Sequence, residues 1–239
     1  MSIILRYAPL FLLSLAFGTA QAQNTSSVFS PDVTKGKSAI EYRSAFDPDN
    51  DAFVHRLHYQ YAFTDSWRLR IIGLQDGDDS DAFAYRYTRL EAMWQFLEDE
   101  DFGWDSALRF ELQIAEDDSP PSRFRVAWSG KVDLDDHWQL RGNFLTGHEF
   151  GEESDDGYLL ESRAQISRKI TDKWRLAVDY YGDMNDTENF GSFDEQEHQL
   201  GPLLKFKTGG RLSGQFGALF GISEAAADTE LRLHLTYSF

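Results

Sequence analysis

The sequence predicts an all-β protein: a twelve-stranded, antiparallel, up-and-down transmembrane β-barrel. Apolar and polar residues alternate along twelve stretches, the connections between them are alternately short and long, and the chain ends on an aromatic residue. The last stretch, 229–239, is the clearest, with apolar residues at the odd-numbered positions from 231 and polar residues at the even-numbered positions from 230. Alternation with period 2 is the mark of a strand with one apolar and one polar face.

The composition fits an exported β protein and excludes several other classes. A chain of 239 residues allows one sizeable β domain or two small ones. It has no cysteine, so neither a disulfide framework nor a lipid-anchoring thiol is available. Aromatic residues make up 15% although the mean hydropathy is -0.48, which suits a membrane barrel whose strands are half polar. The net charge of -17 argues against nucleic-acid binding, which needs a basic surface.

The chain divides into three predicted parts. Residues 1–22 have the features of a signal peptide: Arg6 in the n-region, a short apolar run over 8–17, and the small-residue cleavage site Ala20-Gln21-Ala22. Residues 23–34 are polar and are predicted to form a flexible N-terminal lead-in. Residues 35–239 are predicted to form the barrel. Because no later segment is long enough for a spanning helix, only a closed barrel could cross a membrane.

Each predicted strand has its own alternating stretch with apolar residues on one face. In chain order the stretches cover about 37–46, 53–63, 67–71, 89–96, 104–114, 124–132, 138–144, 158–170, 174–180, 199–207, 212–222 and 229–239. Hairpins recur roughly every 35 residues, which indicates internal repetition of one supersecondary unit.

The connections alternate in length and charge. The short connections often end in tryptophan, and the long connections are all acidic. Short turns on one side and long loops on the other are typical of outer-membrane barrels, and an even strand number places both chain ends on the short-turn, periplasmic side. The aromatic residues near these turns are predicted to form an interface girdle. They are Trp67, Trp104, Trp138, Trp174 and Phe239.

A soluble sandwich or jelly roll is the alternative fold, because alternation alone does not say which face meets water. The signal sequence, the aromatic terminus, the asymmetry of the turns, the common level of the tryptophans and the uniform strands together favour the barrel.

In a barrel the polar face of each strand lines the lumen. The predicted basic lining residues are Arg43, Arg56, Arg68, Arg70, Arg89, Arg109, Arg125, Arg141, Arg163, Arg175 and Arg232. The predicted acidic lining residues are Glu41, Glu91, Glu111, Glu161, Asp179 and Glu230. Such a wall can attract anionic solutes, or the arginines and carboxylates can pair with one another in a filled interior. The sequence leaves both possibilities open.

Catalysis and metal binding find little support in the sequence. There is no G-x-S-x-G motif, and no histidine pair has metal-ligand spacing with a third ligand nearby. His148, near the base of a loop, is the candidate to test for a membrane hydrolase. Asp47-x-Asp49-x-Asp51 begins like a calcium loop but lacks the later glycine and glutamate. We predict no catalytic residue, no metal and no cofactor.

Three resemblances add to these predictions. The alternating strands and the terminal Thr-Tyr-Ser-Phe resemble bacterial outer-membrane β-barrels along nearly all of the mature chain. His198-Gln199-Leu200-Gly201-Pro202, the stretch 212–220 and the stretch 221–229 are similar to a family of transporter barrels associated with aromatic-compound degradation. Strand number and the arginine-rich wall also resemble twelve-stranded porins for acidic oligosaccharides.

The functional prediction is a porin-like channel or transporter for small polar, chiefly anionic solutes, in the outer membrane of a Gram-negative bacterium. The predicted partners are outer-membrane lipid and lipopolysaccharide, the barrel-assembly machinery through the C-terminal strand, and a small polar solute. The chain is predicted to be monomeric. The alternatives are an outer-membrane hydrolase acting on lipid and a closed structural or adhesion barrel.

Overall fold

The computed structural model describes residues 25–77, 84–99, 101–116, 121–152 and 154–239. Within them the chain forms twelve strands and one short 3₁₀ helix. The strands are β1 (Ser38–Asp47), β2 (Ala52–Ala62), β3 (Trp67–Gly77), β4 (Ala84–Asp99), β5 (Trp104–Ala115), β6 (Ser122–Asp133), β7 (Trp138–Phe150), β8 (Leu159–Lys169), β9 (Trp174–Asp186), β10 (Glu197–Lys207), β11 (Leu212–Gly221) and β12 (Thr229–Ser238), and the 3₁₀ helix is Phe193–Glu195.

The strands form one closed antiparallel barrel in which each strand pairs with its neighbours in sequence. Closure is made by β1 and β12, whose register runs from Ala39 opposite Ser238 to Phe46 opposite Leu231. The backbone N–H of Phe239 also donates to the carbonyl of Ser38 at 3.0 Å. The predicted all-β, twelve-stranded, up-and-down barrel is therefore confirmed. We call the end with short connections the short-turn end and the opposite end the long-loop end.

Side-chain caps explain the short turns that end in tryptophan. The hydroxyl of Thr64 accepts the N–H of Trp67 at 2.8 Å, and the carboxylate of Asp135 accepts the N–H of Trp138 at 2.7 Å. Thr171 caps Trp174 in the same way at 3.1 Å. Because threonine and aspartate side chains satisfy turn N–H groups, these motifs close the chain tightly.

The predicted girdle residues lie at one level of the barrel. Four tryptophans open the odd-numbered strands β3, β5, β7 and β9, and the final phenylalanine follows β12. All are at the short-turn end: Trp67, Trp104, Trp138, Trp174 and Phe239. Above them the outer surface is an apolar belt in which, for example, Leu57 and Leu90 are 59% and 52% exposed. Their role at a membrane interface stays a prediction.

The strands extend further at the long-loop end than alternation indicates. β9 reaches Asp186 and β10 begins at Glu197, whereas alternation predicts strands over about 174–180 and 199–207. Register shifts occur on this half of the barrel between Leu74 and Gln75 and between Leu159 and Glu161. A bulge adds one residue to a strand and breaks strict alternation, so sequence periodicity underestimates these strands.

The pairing of β10 with β11 is interrupted at one point. Paired residues are recorded on either side, but none at Gly201 and Pro202. Proline has no N–H to donate to the ladder. A Cβ built on Gly201 would meet the carbonyl oxygen of Ala218 at 1.8 Å, so the strands approach more closely here than any side chain allows.

The segment before β1, Thr25–Thr34, lies inside the barrel, and we call it the inner segment. Thr25 is fully buried and Val28 and Phe29 are 3% and 5% exposed. Gly36, with a φ of 78°, forms the turn that leads from this segment into β1. The predicted signal peptide, 1–22, lies outside the described residues. Among the described residues, no helix is long and apolar enough to cross a membrane.

Candidate functional site: the barrel lumen

The charged residues predicted to line the lumen occupy the inner face of the strands. Arg89 and Glu91 are each 5% exposed, whereas Leu90 between them is 52% exposed. The fully buried members are Arg43, Arg89, Glu91, Arg109, Glu111, Arg125, Arg163, Asp179, Glu230 and Arg232. The half-buried members are Glu41, Arg56, Arg68, Arg70, Arg141, Glu161 and Arg175.

One side of the lumen contains a continuous chain of ion pairs. Glu111 is its centre: it contacts Arg89 at 3.4 Å and Arg125 at 2.6 Å, and it also pairs with Arg109. Three guanidinium groups around one carboxylate supply enough donors to satisfy both of its oxygens. Because Glu111 is only 1% exposed, its charge depends on these partners.

Two further carboxylates extend this chain. Glu161 bridges Arg125 and Arg163, each at 2.5 Å. Glu91 lies 3.4 Å from Arg70 and 3.7 Å from Arg109. The chain thus joins β3, β4, β5, β6 and β8. Its members are Arg70, Glu91, Arg89, Arg109, Glu111, Arg125, Glu161 and Arg163.

The opposite wall, near the closure of the barrel, has smaller clusters. Glu41 pairs with Arg43 at 3.0 Å and contacts His58 at 3.4 Å. Glu230 lies 3.5 Å from Arg232 on the same strand. Most of the charge at mid-height is therefore neutralised within the wall.

Phe29 fixes the inner segment at mid-height. Its N–H donates to Oδ1 of Asn143 at 3.0 Å, and Nδ2 of Asn143 donates back to its carbonyl at 3.1 Å. Ser129 donates to the same carbonyl at 3.2 Å. The guanidinium of Arg109 lies 3.5 Å from the centre of the Phe29 ring, within cation–π range. The ring also packs with Ala127 and Leu145.

Further contacts hold the inner segment above Phe29. The carbonyls of Thr25 and Ser27 accept from Arg43 and Arg163, each at 3.3 Å. Val28 packs with Tyr181 and Leu219. Because these contacts reach strands on opposite sides of the barrel, the segment spans the lumen.

Below Phe29, the inner segment is held on the way to β1. Val33 donates its N–H to the side-chain oxygen of Gln95 at 2.7 Å. The carboxylate of Asp32 pairs with Lys131, which also pairs with Asp105. The lower part of the segment is therefore anchored to strands β4, β5 and β6.

The lumen contains two cavities with no lining residue in common among those described. The cavity at the long-loop end has a volume of about 320 Å³ and is lined by Arg56, Tyr87 and Arg123, with Ser26 of the inner segment. The cavity at the short-turn end has a volume of about 490 Å³ and is lined by Arg141, Arg175 and Lys205. The inner segment and the surrounding side chains separate them.

Strands β8, β9 and β10 carry opposite charges at their two ends. At the long-loop end, Asp183 of β9 is opposite Glu161 of β8 and Glu197 of β10. At the short-turn end, Arg175 of β9 is opposite Lys169 and Lys205. This part of the wall is therefore acidic at one end and basic at the other. Like charges directly opposite in a sheet destabilise it, so both rows need another explanation than packing.

The sequence-based candidates for chemistry have structural roles. Nδ1 of His148 contacts the carbonyl of Gly157 at 2.8 Å and its ring lies against Tyr158, which ties the base of the loop. One carboxylate oxygen of Asp47 accepts the N–H of Asp49 at 2.9 Å, which caps the first long loop. The described residues contain no group of three or more potential metal ligands.

Sequence reasoning missed two features of the lumen. The inner segment is rich in serine and threonine and contains Pro31, a composition typical of a linker, and alternation carries no signal for it. The inward acids Glu149, Asp183 and Glu197 lie just beyond the stretches that alternation predicts as strands. Each continues the alternation of its strand, as Asp183 follows Asp179 and Tyr181, so extending the strands by two to five residues would include them.

Comparisons with known proteins show which family matches this chain. A family model described as "Putative MetA-pathway of phenol degradation" matches residues 115–239, more than half of the chain. No curated protein matches the sequence significantly.

Solved structures share the fold at low sequence identity. The KdgM porin is 12% identical with a TM-score of 0.64, covering 84% of this chain and 99% of its own. It has also been solved in complex with disordered oligogalacturonate. The NanC porin is 8% identical with a TM-score of 0.65, covering 83% and 98%. The COG4313 outer membrane channel from Pseudomonas putida F1 is 12% identical with a TM-score of 0.62, covering 87% and 97%.

Proposed function

We propose that this chain, which belongs to the MetA-pathway phenol-degradation family, is a porin-like outer-membrane channel for small polar, chiefly anionic solutes. The observation that carries this proposal is the lumen itself: two cavities, lined largely by charged side chains, lie at opposite ends of a closed barrel. Rings of arginine and lysine favour anions in a narrow pore. Similarity of fold to the KdgM, NanC and COG4313 channels supports the proposal.

The excess of arginine over carboxylate supports the preference for anions. The ion-pair chain joins Arg70, Arg89, Arg109, Arg125 and Arg163 to only three glutamates. Low-dielectric walls focus the resulting field into the passage. The KdgM porin, whose complex contains an oligogalacturonate, gives an example of a related fold with an acidic ligand.

The inner segment controls the passage in this proposal. It lies between the two cavities, so solute passes only when the segment moves aside. It is held by separate hydrogen bonds through its backbone N–H and C=O groups, each worth about 1 kcal/mol, by the Asp32–Lys131 ion pair and by the Phe29 ring. Contacts of this size are compatible with exchange between docked and undocked states.

A closed structural barrel is the second candidate, and the docked inner segment is the observation that favours it. Conductance of the purified mature chain in planar bilayers separates the two. We compare the intact chain with a variant that lacks residues 25–33. A channel gives rare openings in the intact chain and larger, steadier conductance in the variant. Its reversal potential in a salt gradient should indicate selectivity for anions. Absence of conductance in both chains would support the closed barrel.

We also propose that the chain is exported through cleavage of the signal peptide and assembled as a monomer in the outer membrane of a Gram-negative bacterium. The apolar belt would face lipid, and the acidic loops would meet lipopolysaccharide. The C-terminal strand would be recognised by the barrel-assembly machinery. Fractionation of expressing cells checks the location, since a soluble periplasmic product would contradict it.

A further inference from the structure

The basic row at the short-turn end is the strongest unexplained feature of the wall. Arg175 of β9 lies directly between Lys169 and Lys205 on the neighbouring strands. Arg141 of β7 lines the same cavity. Cross-strand repulsion of this kind costs stability, and a barrel wall offers many positions where the cations could have been separated.

The partners of these cations are neutral. Nζ of Lys205 donates to the side-chain oxygen of Gln165 at 2.6 Å, and Nε of Arg141 donates to that of Gln139 at 2.8 Å. Arg175 donates to the hydroxyl of Ser167 at 3.0 Å. The nearby carboxylate of Asp179 accepts instead from the Gln165 amide at 2.5 Å and the Tyr181 hydroxyl at 3.0 Å.

Among the described residues, a carboxylate pairs with only one cation of the basic row. Lys169 pairs with Asp172 of the adjoining turn at 2.7 Å. In the part of the chain that the structure describes, Arg141, Arg175 and Lys205 have no carboxylate within ion-pair distance. The arginines of the ion-pair chain at mid-height differ in this respect, because each contacts at least one glutamate.

The space in front of these three cations can accept a ligand. The cavity of about 490 Å³ has the size of a small-molecule site. It is also lined by Thr171, Asp172 and Lys173, which belong to a short turn, so it reaches the rim of the barrel. Gln215 and His234 add polar groups to its wall, and Glu41, which pairs with Arg43, also lines it.

We propose that Arg141, Arg175 and Lys205 form a binding site for a small oxyanion that enters from the short-turn end. A guanidinium group binds a carboxylate or a phosphate through two parallel hydrogen bonds, and a lysine adds a third charged donor. A bound anion would also offset the repulsion between Arg175 and Lys205. The proposal rests on the proposed function only for the identification of this end with the periplasm.

Direct binding tests the site without any requirement for transport. Succinate and inorganic phosphate are titrated separately into the full mature chain in detergent micelles, by isothermal calorimetry at low salt. We expect at least one to bind, and the double variant Arg175→Gln/Lys205→Gln to weaken binding at least tenfold. Arg168→Gln is the matched control, because Arg168 lies one residue before Lys169 but on the outer face, over Trp138. It should leave the affinity unchanged.

The two ligands distinguish the source of the anion. Preference for succinate indicates an organic carboxylate, and preference for phosphate indicates a phosphorylated compound. Equal affinity in the double variant and the intact chain, or no heat with either ligand, would overturn the proposal.

Thermal unfolding gives an independent readout and detects folding defects. The anion should raise the unfolding temperature of the intact chain more than that of Lys205→Met at the same anion concentration. Lys205→Met without anion should be at least as stable as the intact chain, because it removes like-charge repulsion. Lower stability of this variant would contradict the explanation of the row. Binding without conductance would leave the site standing and count against the channel alone.

Discussion

The guanidinium of Arg109 lies 3.5 Å from the centre of the Phe29 ring, and this contact joins the wall of the barrel to the segment inside it. Arg109 simultaneously pairs with Glu91 and Glu111. The inner segment is therefore packed against the same charged chain that lines one side of the lumen. A change in either residue should alter both the fraction of molecules whose inner segment is docked and the charge that the wall exposes to the lumen.

Phe29→Ala should release the inner segment. It removes a side chain that is 5% exposed and a cation–π contact, which together are worth about 3 kcal/mol or more. The undocked fraction should rise on the order of a hundredfold, so single-channel records should show more frequent openings. Val33→Ala is the control, because Val33 is anchored through its backbone N–H. Identical records for Phe29→Ala and the intact chain would show that the ring does not hold the segment.

Glu111→Gln should destabilise the barrel wall. The substitution leaves three arginines around a neutral side chain, and breaking a buried ion pair costs about 3–5 kcal/mol. Glu98→Gln, at an exposed position on β4, should cost less than about 0.5 kcal/mol. Urea unfolding in lipid vesicles, followed by tryptophan fluorescence, measures both. Equal midpoints for the two variants would mean that the arginines are not balanced by this carboxylate.

Gly201→Ala should prevent closure of the barrel. The new Cβ would lie 1.8 Å from the carbonyl oxygen of Ala218, and backbone on a closed barrel has little room to move. Gly210→Ala is the matched control, because a Cβ there meets nothing within 4 Å. Heat-dependent gel mobility reports the folded barrel. The expected result is a folded control and an unfolded Gly201→Ala chain. A Gly201→Ala chain that folds like the control would refute the close approach of β10 and β11.

Asp135 should titrate at unusually low pH. The backbone N–H groups of Trp138 and His137 hydrogen-bond to its carboxylate and lower its pKa below the usual 3.8. A depressed folded-state pKa contributes stability that is present above pH 3.8 and lost as the pH falls through the folded value. Carbonyl ¹³C NMR in micelles, with Asp135→Asn to assign the signal, measures it. A midpoint at or above 3.8 would indicate that the turn is not capped.

The sequence was sufficient for the number and order of the strands, because alternation is dictated by a wall with two different faces. It also identified the short turns that end at Trp67, Trp138 and Trp174, but not the side-chain caps that close them. It did not reveal which charges meet. Alternation assigns Glu111 and Arg125 to the same face, but only the register between β5 and β6 brings them directly opposite each other.

The inner segment could not be predicted for a different reason. Its residue Phe29 contacts Asn143 and Ser129, which are 114 and 100 positions away in sequence. A peptide that fills a polar lumen needs few apolar residues, because its backbone groups are satisfied by the wall. Its composition is then indistinguishable from that of a linker.

The position of the inner segment also constrains how the barrel is assembled. The inner segment precedes β1, and pairing of β12 with β1 closes the barrel. The segment is therefore fully enclosed only once that pairing has formed. Any affinity tag or reporter fused ahead of Thr25 would start from inside the sealed wall, so a long loop is the better site for a tag.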